Sequence, residues 1–556
     1  MSPFPEEVML IRLFVLSICI AAGLAAWNGP LTAQAKGQDP VAAARSKLTS
    51  KNPDVRAEAV ETLSRHNNRA ATEAILIALG TENDGPAGFR MADAVANLNS
   101  PEALDVIEKQ VMGWTTPEKL FGAYWCFCGI ARMNSERADA FLGKVINQSK
   151  EREIYIRAAV IEALARAGRS DKADLLADTI AKYEPAWDQK NMILTLTCIY
   201  NAPRLVDKAD TKVRDRVVLA LADVLEKTKD DRVIYFLAKA LAEVTGEDTY
   251  IDPVFWRWWV EMGGRKVERK EGGDGNTVAG RDVPKFFKAA AVGKRVMFVI
   301  DISGSMQHPV TLPPESRRPP PPPPKKEEKD GPVTGRGEGG DSKKDDKKKD
   351  EPAPIPPPDY SKVKSKLDLA KVELIHTLKH LPEDYLFNIV IYHTDHSLLD
   401  QGIKNFIPAT RQNRDRMIGK VERLAWAQLT NIHGALIRSF CVNEKGMIDQ
   451  KKQNPGWDPG CMATGATTIF FLTDGSPTIS DDTTNIEEIG RTKPVGNGRM
   501  CNPGNIIEDI RRVNTFRKAV INTIGIGPHN GRLLAALARM SGGEYIDRSG
   551  VARRGD

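Results

Sequence analysis

Three oxygen-bearing side chains, Asp301, Ser303 and Ser305, stand at alternate positions where the apolar run VMFVI ends. Asp474 closes a second such run in TTIFFLTDGSPT, and Thr430 stands just ahead of a helical pattern in LTNIHGAL. Together they offer two carboxylates and three hydroxyls. That set suits a hard divalent cation: Mg²⁺ prefers octahedral oxygen ligation and keeps several waters, and Mn²⁺ or Ca²⁺ would use the same donors. A plainer role competes, because serines cap turns and an aspartate caps a helix without any ion. A cation-activated water would make the same set hydrolytic, yet no general base is evident beside it. ISGSM lacks the Gly-x-Ser-x-Gly elbow of hydrolases, and the chain carries no P-loop.

The histidines are weaker candidates. His376 and His380 are four apart on one predicted helix, a spacing compatible with zinc. They have no glutamate next to the first histidine and no third ligand, so an ordinary helix surface is expected. His393 and His396 in YHTDHS follow a strand, on the edge where the oxygen set should lie. Loop exposure is expected there, with the rim of the site as the alternative.

The elements that must hold these residues alternate between helix and strand. From residue 366 onward, KLDLAKVELIHTLKHL reads as an amphipathic helix, LFNIVIYH as a strand and HGALIRSF as a helix. TTIFFLTDG, NIIEDIRRVNTFRK, VINTIGIG, RLLAALARMSGG and EYIDR continue the alternation. Continuously apolar strands between helices predict a mostly parallel sheet covered on both faces, with the strand at 295–300 in the same sheet. Ligands of such sheets bind beyond the carboxyl ends of the strands, where Asp301 and Asp474 stand.

With these elements in place, the chain resembles the von Willebrand factor A domain and its metal-ion-dependent adhesion site. DISGSM, LTNIHGAL and LTDGSPT occur in the family's order, and TIGIG…LLAALARMSGGEYID is similar to the end of that fold. The resemblance covers 291–308 and 360–549. It implies Ser303, Ser305 and Thr430 as direct ligands, with Asp301 and Asp474 balancing charge largely through water. It also implies a partner protein whose Glu or Asp carboxylate completes the cation's shell. The implied protein is a binder and not an enzyme.

Residues 40–250 carry helical periodicity throughout. NPDVRAEAVETLSRH at 52–66 and IYIRAAVIEALARAG at 154–168 share Arg-Ala, Glu and Leu in register. Val55-Arg56-Ala57 aligns with Ile156-Arg157-Ala158, Glu61 with Glu162 and Leu63 with Leu164. The offset is close to three units of about 34 residues, a length that suits paired-helix repeats. This half resembles a HEAT-like α-solenoid, with an irregular bundle as the alternative. The fold class expected is therefore an α-helical solenoid followed by a doubly wound α/β domain. Residues 251–290, rich in tryptophan, read as a connector whose aromatics cap the last helix pair.

Residues 309–359 interrupt the α/β part with proline blocks and the charge run DSKKDDKKKDE. Apolar side chains are nearly absent, so ordering this insert would have no burial to offset its entropy. Limited proteolysis should cut here first. Protection of its amides from exchange at the level of residues 296–300 would refute that reading.

At the other end, LFVLSICIAAGLAA at 13–26 follows Arg12 and precedes Ala33-Gln34-Ala35, the pattern of an export signal with cleavage before Lys36. The run is short for a membrane span, although an uncleaved anchor is the alternative. Export places the protein in a periplasm, a cell envelope or the medium. Cys126 and Cys128 read as buried thiols, while Cys441, Cys461 and Cys501 lie in loop-like segments where one pair has room to bridge. The 79 basic and 73 acidic residues give a net charge of +6. That near balance excludes the basic footprint of a nucleic-acid binder.

Overall fold

This computed structural model describes residues 40–549 except 115, 134, 148–153, 184–191, 266–282, 311, 313–355 and 484–497. The export segment at 1–35 and nearly all of the proline-rich insert thus lie outside the described residues. Among those described, no helix is long and apolar enough to cross a membrane.

The first half is helical. Some of its helices begin on short polar caps followed by proline: Asn52 before Pro53–Ser64, Ser100 before Pro101–Val111 and Asp252 before Pro253–Glu261. The cap oxygen satisfies a free N–H of the first turn, and proline there loses no bond. Pro53–Ser64, Gly85–Val95, Leu120–Ile130, Ile154–Arg166, Met192–Val206 and Asp231–Thr245 pack in succession, each on the next. The helices between them pack on members of that row, Arg69–Leu79 on Pro53–Ser64 and Leu120–Ile130, and Thr211–Lys227 on Asp231–Thr245. Leu120–Ile130 is buried along its whole length, including Cys126 and Cys128. Phe255, Trp256 and Trp259 are buried in the helical core, and the helix that carries them packs on Thr211–Lys227.

The second half is a seven-stranded sheet. Its strands are β3 (Arg295–Asp301), β4 (Leu386–Tyr392), β5 (His396–Leu398), β6 (Ile407–Pro408), β7 (Thr468–Thr473), β8 (Val520–Ile526) and β9 (Tyr545–Arg548). The order is β5-β4-β3-β7-β8-β9, with β6 beside β4. β4, β3, β7, β8 and β9 are parallel; β5 and β6 run antiparallel to β4. Alternate residues enter opposite layers, as the period of a strand requires. Phe298, Ile300, Phe470 and Leu472 meet the helix Lys366–His380. Met297, Val299, Ile469 and Phe471 meet Ile432–Phe440, Pro503–Asn514 and Gly531–Arg539.

Two features depart from the sequence reading. The connector carries a hairpin, β1 (Lys285–Phe286) and β2 (Ala289–Ala290), and Phe286 packs on Phe298 and Phe470 with ring centroids 5.4 and 5.5 Å away. The sheet's core therefore reaches back into the connector. Cys441, Cys461 and Cys501 are buried free thiols and not a bridge. Cys461 Sγ donates to the Cys441 carbonyl, and Cys501 Sγ to Ser480 Oγ, both at 3.5 Å.

The two halves share one interface. Phe121 of the helical half packs with its ring centroid 5.8 Å from those of both Trp457 and Phe516, the rings tilted. Gly85 approaches so closely that a Cβ there would lie 2.8 Å from the Asp509 Cα, and its N–H donates to Asp509 Oδ1 at 3.2 Å. A larger residue would force the halves apart at this point.

Candidate functional site

β3 is followed in the chain by β4 on one side, and β7 by β8 on the other, so the chain reverses its direction of travel between β3 and β7. At such a switch point the connections leave in opposite directions and open a crevice at the carboxyl ends. Asp301 ends β3 there, and Asp474 directly follows β7.

All five candidate residues come together in this crevice. Thr473 is the next position after the Ile300–Leu472 pair in the β3–β7 register, and its Oγ1 donates to Asp301 Oδ2 at 2.7 Å. Asp301 Oδ1 accepts the Ser303 N–H at 2.7 Å, which turns the chain out of the strand. Ser303 Oγ and Ser305 Oγ are 3.2 Å apart, and Ser305 Oγ donates to Asp474 Oδ1 at 2.7 Å. Thr430 arrives from a separate loop. Its N–H donates to Thr478 Oγ1 at 2.8 Å, and its carbonyl accepts the Thr478 N–H at 3.0 Å. A Cβ built on Gly475 would lie 3.9 Å from both Ser305 Oγ and Thr430 Oγ1, so the two hydroxyls flank one point.

Burial sets the electrostatics. Asp301, Ser303, Asp474 and Thr430 are all buried, and Ser305 is half-buried. The open sheet edge that the strand ends imply is therefore roofed. Burial, followed by the negative charge of Asp474, pushes the Asp301 carboxyl up to about 6 despite hydrogen bonds from Ser303 and Thr473. Two carboxylates in so dry a crevice call for a positive charge.

Lys366 supplies one. Its Nζ lies 2.7 Å from Asp474 Oδ2, with 7% of its side chain exposed and none of the Asp474 side chain. Gly527 makes room for the lysine stem: at φ +62°, a Cβ there would meet Lys366 Cε at 2.8 Å. Sequence reading missed this residue because a lysine opening an amphipathic helix normally faces solvent. The capping box of Ser365 with Asp368, which fixes the helix start, is the local signal that orients it.

The histidines fall in three places. The His376 and His380 rings lie 4.5 Å apart on the helix, bonded to the Pro356 and His376 carbonyls. His393 is half-buried, and its carbonyl accepts the Asn431 N–H next to Thr430. His396 is not loop-exposed as expected. It sits in β5 with Nε2 3.0 Å from Asp481 Oδ2, and its Nδ1 accepts from Arg438 Nε at 3.2 Å. Burial works to raise the Asp481 carboxyl, but His396 and Asn431 outweigh it and hold it at about 2. This pair braces the Thr430 loop through Asn431, whose Nδ2 donates to Asp481 at 2.8 Å.

Donor chemistry fits a hard cation: three hydroxyl oxygens and two carboxylates converge on one crevice. Among the described residues no group of three or more His, Cys, Asp or Glu side chains is placed to hold a metal. A hydroxyl-rich set is of another kind.

No family model matches the chain, and no curated protein matches it. A solved structure of a von Willebrand factor type A protein from Catenulispora acidiphila is 13% identical, with a TM-score of 0.25. The match covers 47% of this chain and 39% of that one. An engineered protein of known structure is 18% identical over 41% of this chain and 72% of its own, with a TM-score of 0.15.

Proposed function

We propose that the crevice is a cation-dependent docking site for an acidic protein partner, in a von Willebrand A-like domain carried on a HEAT-like helical arm. The observation that carries this reading is the convergence of Ser303, Ser305, Thr430, Asp301 and Asp474 at the switch point between β3 and β7. In this reading Ser303, Ser305 and Thr430 hold Mg²⁺ or a similar ion directly, and Asp301 and Asp474 balance its charge. The bound ion supplies residual positive charge to a partner's Glu or Asp carboxylate. Ser305 and the loop around Gly475 form the approach, and the Thr430–Thr478 backbone pair keeps the third hydroxyl in place. We read the site as one of binding and not of turnover. The succession of stacked helices in the first half is what paired-helix repeats would build, and we carry export of the protein as part of the same reading.

Melting curves test it. A bound divalent ion stabilises the native state by about 3 kcal/mol at a hundredfold excess over its dissociation constant. Wild type should melt higher in millimolar Mg²⁺ than in chelator. Asp474→Ala removes a balancing charge, so its gain from Mg²⁺ should nearly vanish. Thr430→Ala removes a neutral oxygen that water replaces, so part of the gain should survive. Equal Mg²⁺ gains in wild type and Asp474→Ala would remove Asp474 from the site and sink the reading.

A further inference from the structure

The crevice has a rim that its five oxygen donors leave unexplained. The loop that brings in Thr430 starts where the helix Arg411–Glu422 ends, and it reads LAWAQL over residues 424–429. Leu424 packs against the sheet's core layer. Trp426, two residues on, is 51% exposed. Among the described residues of the α/β half it is the one large hydrophobic side chain so exposed; the others at the surface, such as Trp258 and Met262, belong to the helical half.

The backbone fixes where this tryptophan stands. The Ala427 N–H donates to the Ile302 carbonyl at 2.6 Å, and the Gln428 carbonyl accepts the Gly304 N–H at 3.3 Å. A Cβ built on Gly304 would lie 3.2 Å from the Ala427 carbonyl oxygen, so the two backbones run in close contact. Ile302 and Gly304 alternate with Asp301, Ser303 and Ser305 along the chain. Trp426 is therefore one residue away from a strap onto the turn that carries two of the three hydroxyls. Glu422 and Arg423, both exposed, offset each other just ahead of it. The distinguishing chemistry of this stretch of rim is apolar.

A scattered surface hydrophobe needs no explanation. This one is fastened beside a crevice whose donors suit a cation and, through it, a carboxylate. Every acidic residue offers a carboxylate, so that contact alone does not choose a partner, and discrimination needs a second one. Tryptophan is enriched among the residues that dominate interface energetics, because it covers a large area with two side-chain torsions. We propose that Trp426 is the partner-selecting contact of this crevice, and that the partner presents a Glu or Asp with a large apolar side chain within three residues of it. Three residues of extended chain span about 10 Å, a reach that carries a peptide from the crevice onto the adjoining rim. The inference rests on the docking reading of the crevice and supplies the second half of the motif it would recognise.

The experiment is selection of short random peptides, displayed on phage, on the immobilised full chain in millimolar Mg²⁺ with release by chelator. The released peptides should be enriched in Asp or Glu with Trp, Phe, Leu, Ile or Met within three positions. The best of them, synthesised and titrated, should bind Trp426→Ala about 30-fold or more weakly than wild type, the usual scale for a dominant interface tryptophan. Trp426→Phe should recover part of that loss. The melting gain from Mg²⁺ should be the same in Trp426→Ala as in wild type, because the indole is no ligand of the ion. Released peptides enriched in acids without an apolar neighbour would overturn the inference and leave the docking reading standing. So would equal affinity of the selected peptide for wild type and Trp426→Ala. Loss of the Mg²⁺ gain in Trp426→Ala would also overturn it, by making the tryptophan a prop of the Thr430 loop. Absence of any chelator-released peptide, together with no Mg²⁺ gain in wild type, would remove the docking reading and this inference with it. Should Trp426→Ala fail to fold, the peptides selected on wild type decide.

Discussion

Lys366→Met should destabilise the cation-free protein by about 3–5 kcal/mol, the usual cost of leaving one partner of a buried ion pair alone. The Asp474 side chain is fully buried, with Ser305 on one oxygen and the ammonium on the other. Methionine keeps the stem beside Gly527 and removes only the charge. Asp474 would then face Asp301 in the same dry crevice with nothing to offset either. In millimolar Mg²⁺ most of that loss should be recovered, because the ion supplies the missing positive charge. The Mg²⁺-dependent gain should therefore be larger in Lys366→Met than in wild type, where the ion competes with a resident ammonium for Asp474. Melting or denaturant curves with and without Mg²⁺ measure both quantities. Equal gains in the two proteins would show that the lysine and the ion do not share the carboxylate.

The second large effect is expected at Asp509, on the seam between the halves. This carboxylate accepts from Arg512 Nε at 2.8 Å, lies 2.9 Å from His433 Nε2 and accepts the Gly85 N–H from the helical half. Burial works to raise its carboxyl, but Arg512 and His433 outweigh it and hold it well below the usual range. Asp509→Ala leaves Arg512, itself buried, without its acid and should cost about 3–5 kcal/mol. The pH dependence follows from the sign of the shift. A depressed folded-state carboxyl adds stability that is fully present above the unfolded value near 4 and is lost as pH falls below it. Wild type should thus lose stability steeply from about pH 4 downward, and Asp509→Asn should lose it less steeply. Urea midpoints across that range check this. Parallel slopes for the two proteins would refute the assignment.

Both predictions concern residues that sequence reading did not single out. The five oxygen donors were legible because each stands at the end of a strand or the start of a helix. Strand periodicity and the switch-point rule then say where such ends point. The parallel α/β architecture was legible for a similar reason, since runs such as VMFVI and TIFFL are apolar on both faces. The helical half was legible in its caps and periodicity. The short strands β5 and β6 and the hairpin β1–β2 were not. They are two or three residues long, and pairing with β4 or packing on Phe298 holds them, not their own pattern.

What the chain alone determined is the set of oxygen-bearing side chains at the strand ends and the kind of sheet that carries them, because both follow from local periodicity and residue type. Only the tertiary structure decided the state of the crevice. Lys366 stands 108 residues from Asp474, and its ammonium enters because the first turn of its helix lands beside the Gly527 turn. The buried thiols and the His396–Asp481 brace have the same origin. Whether a charge is solvated or buried, and whether its partner is present, depends on which distant segment covers it. Local sequence carries no record of that segment.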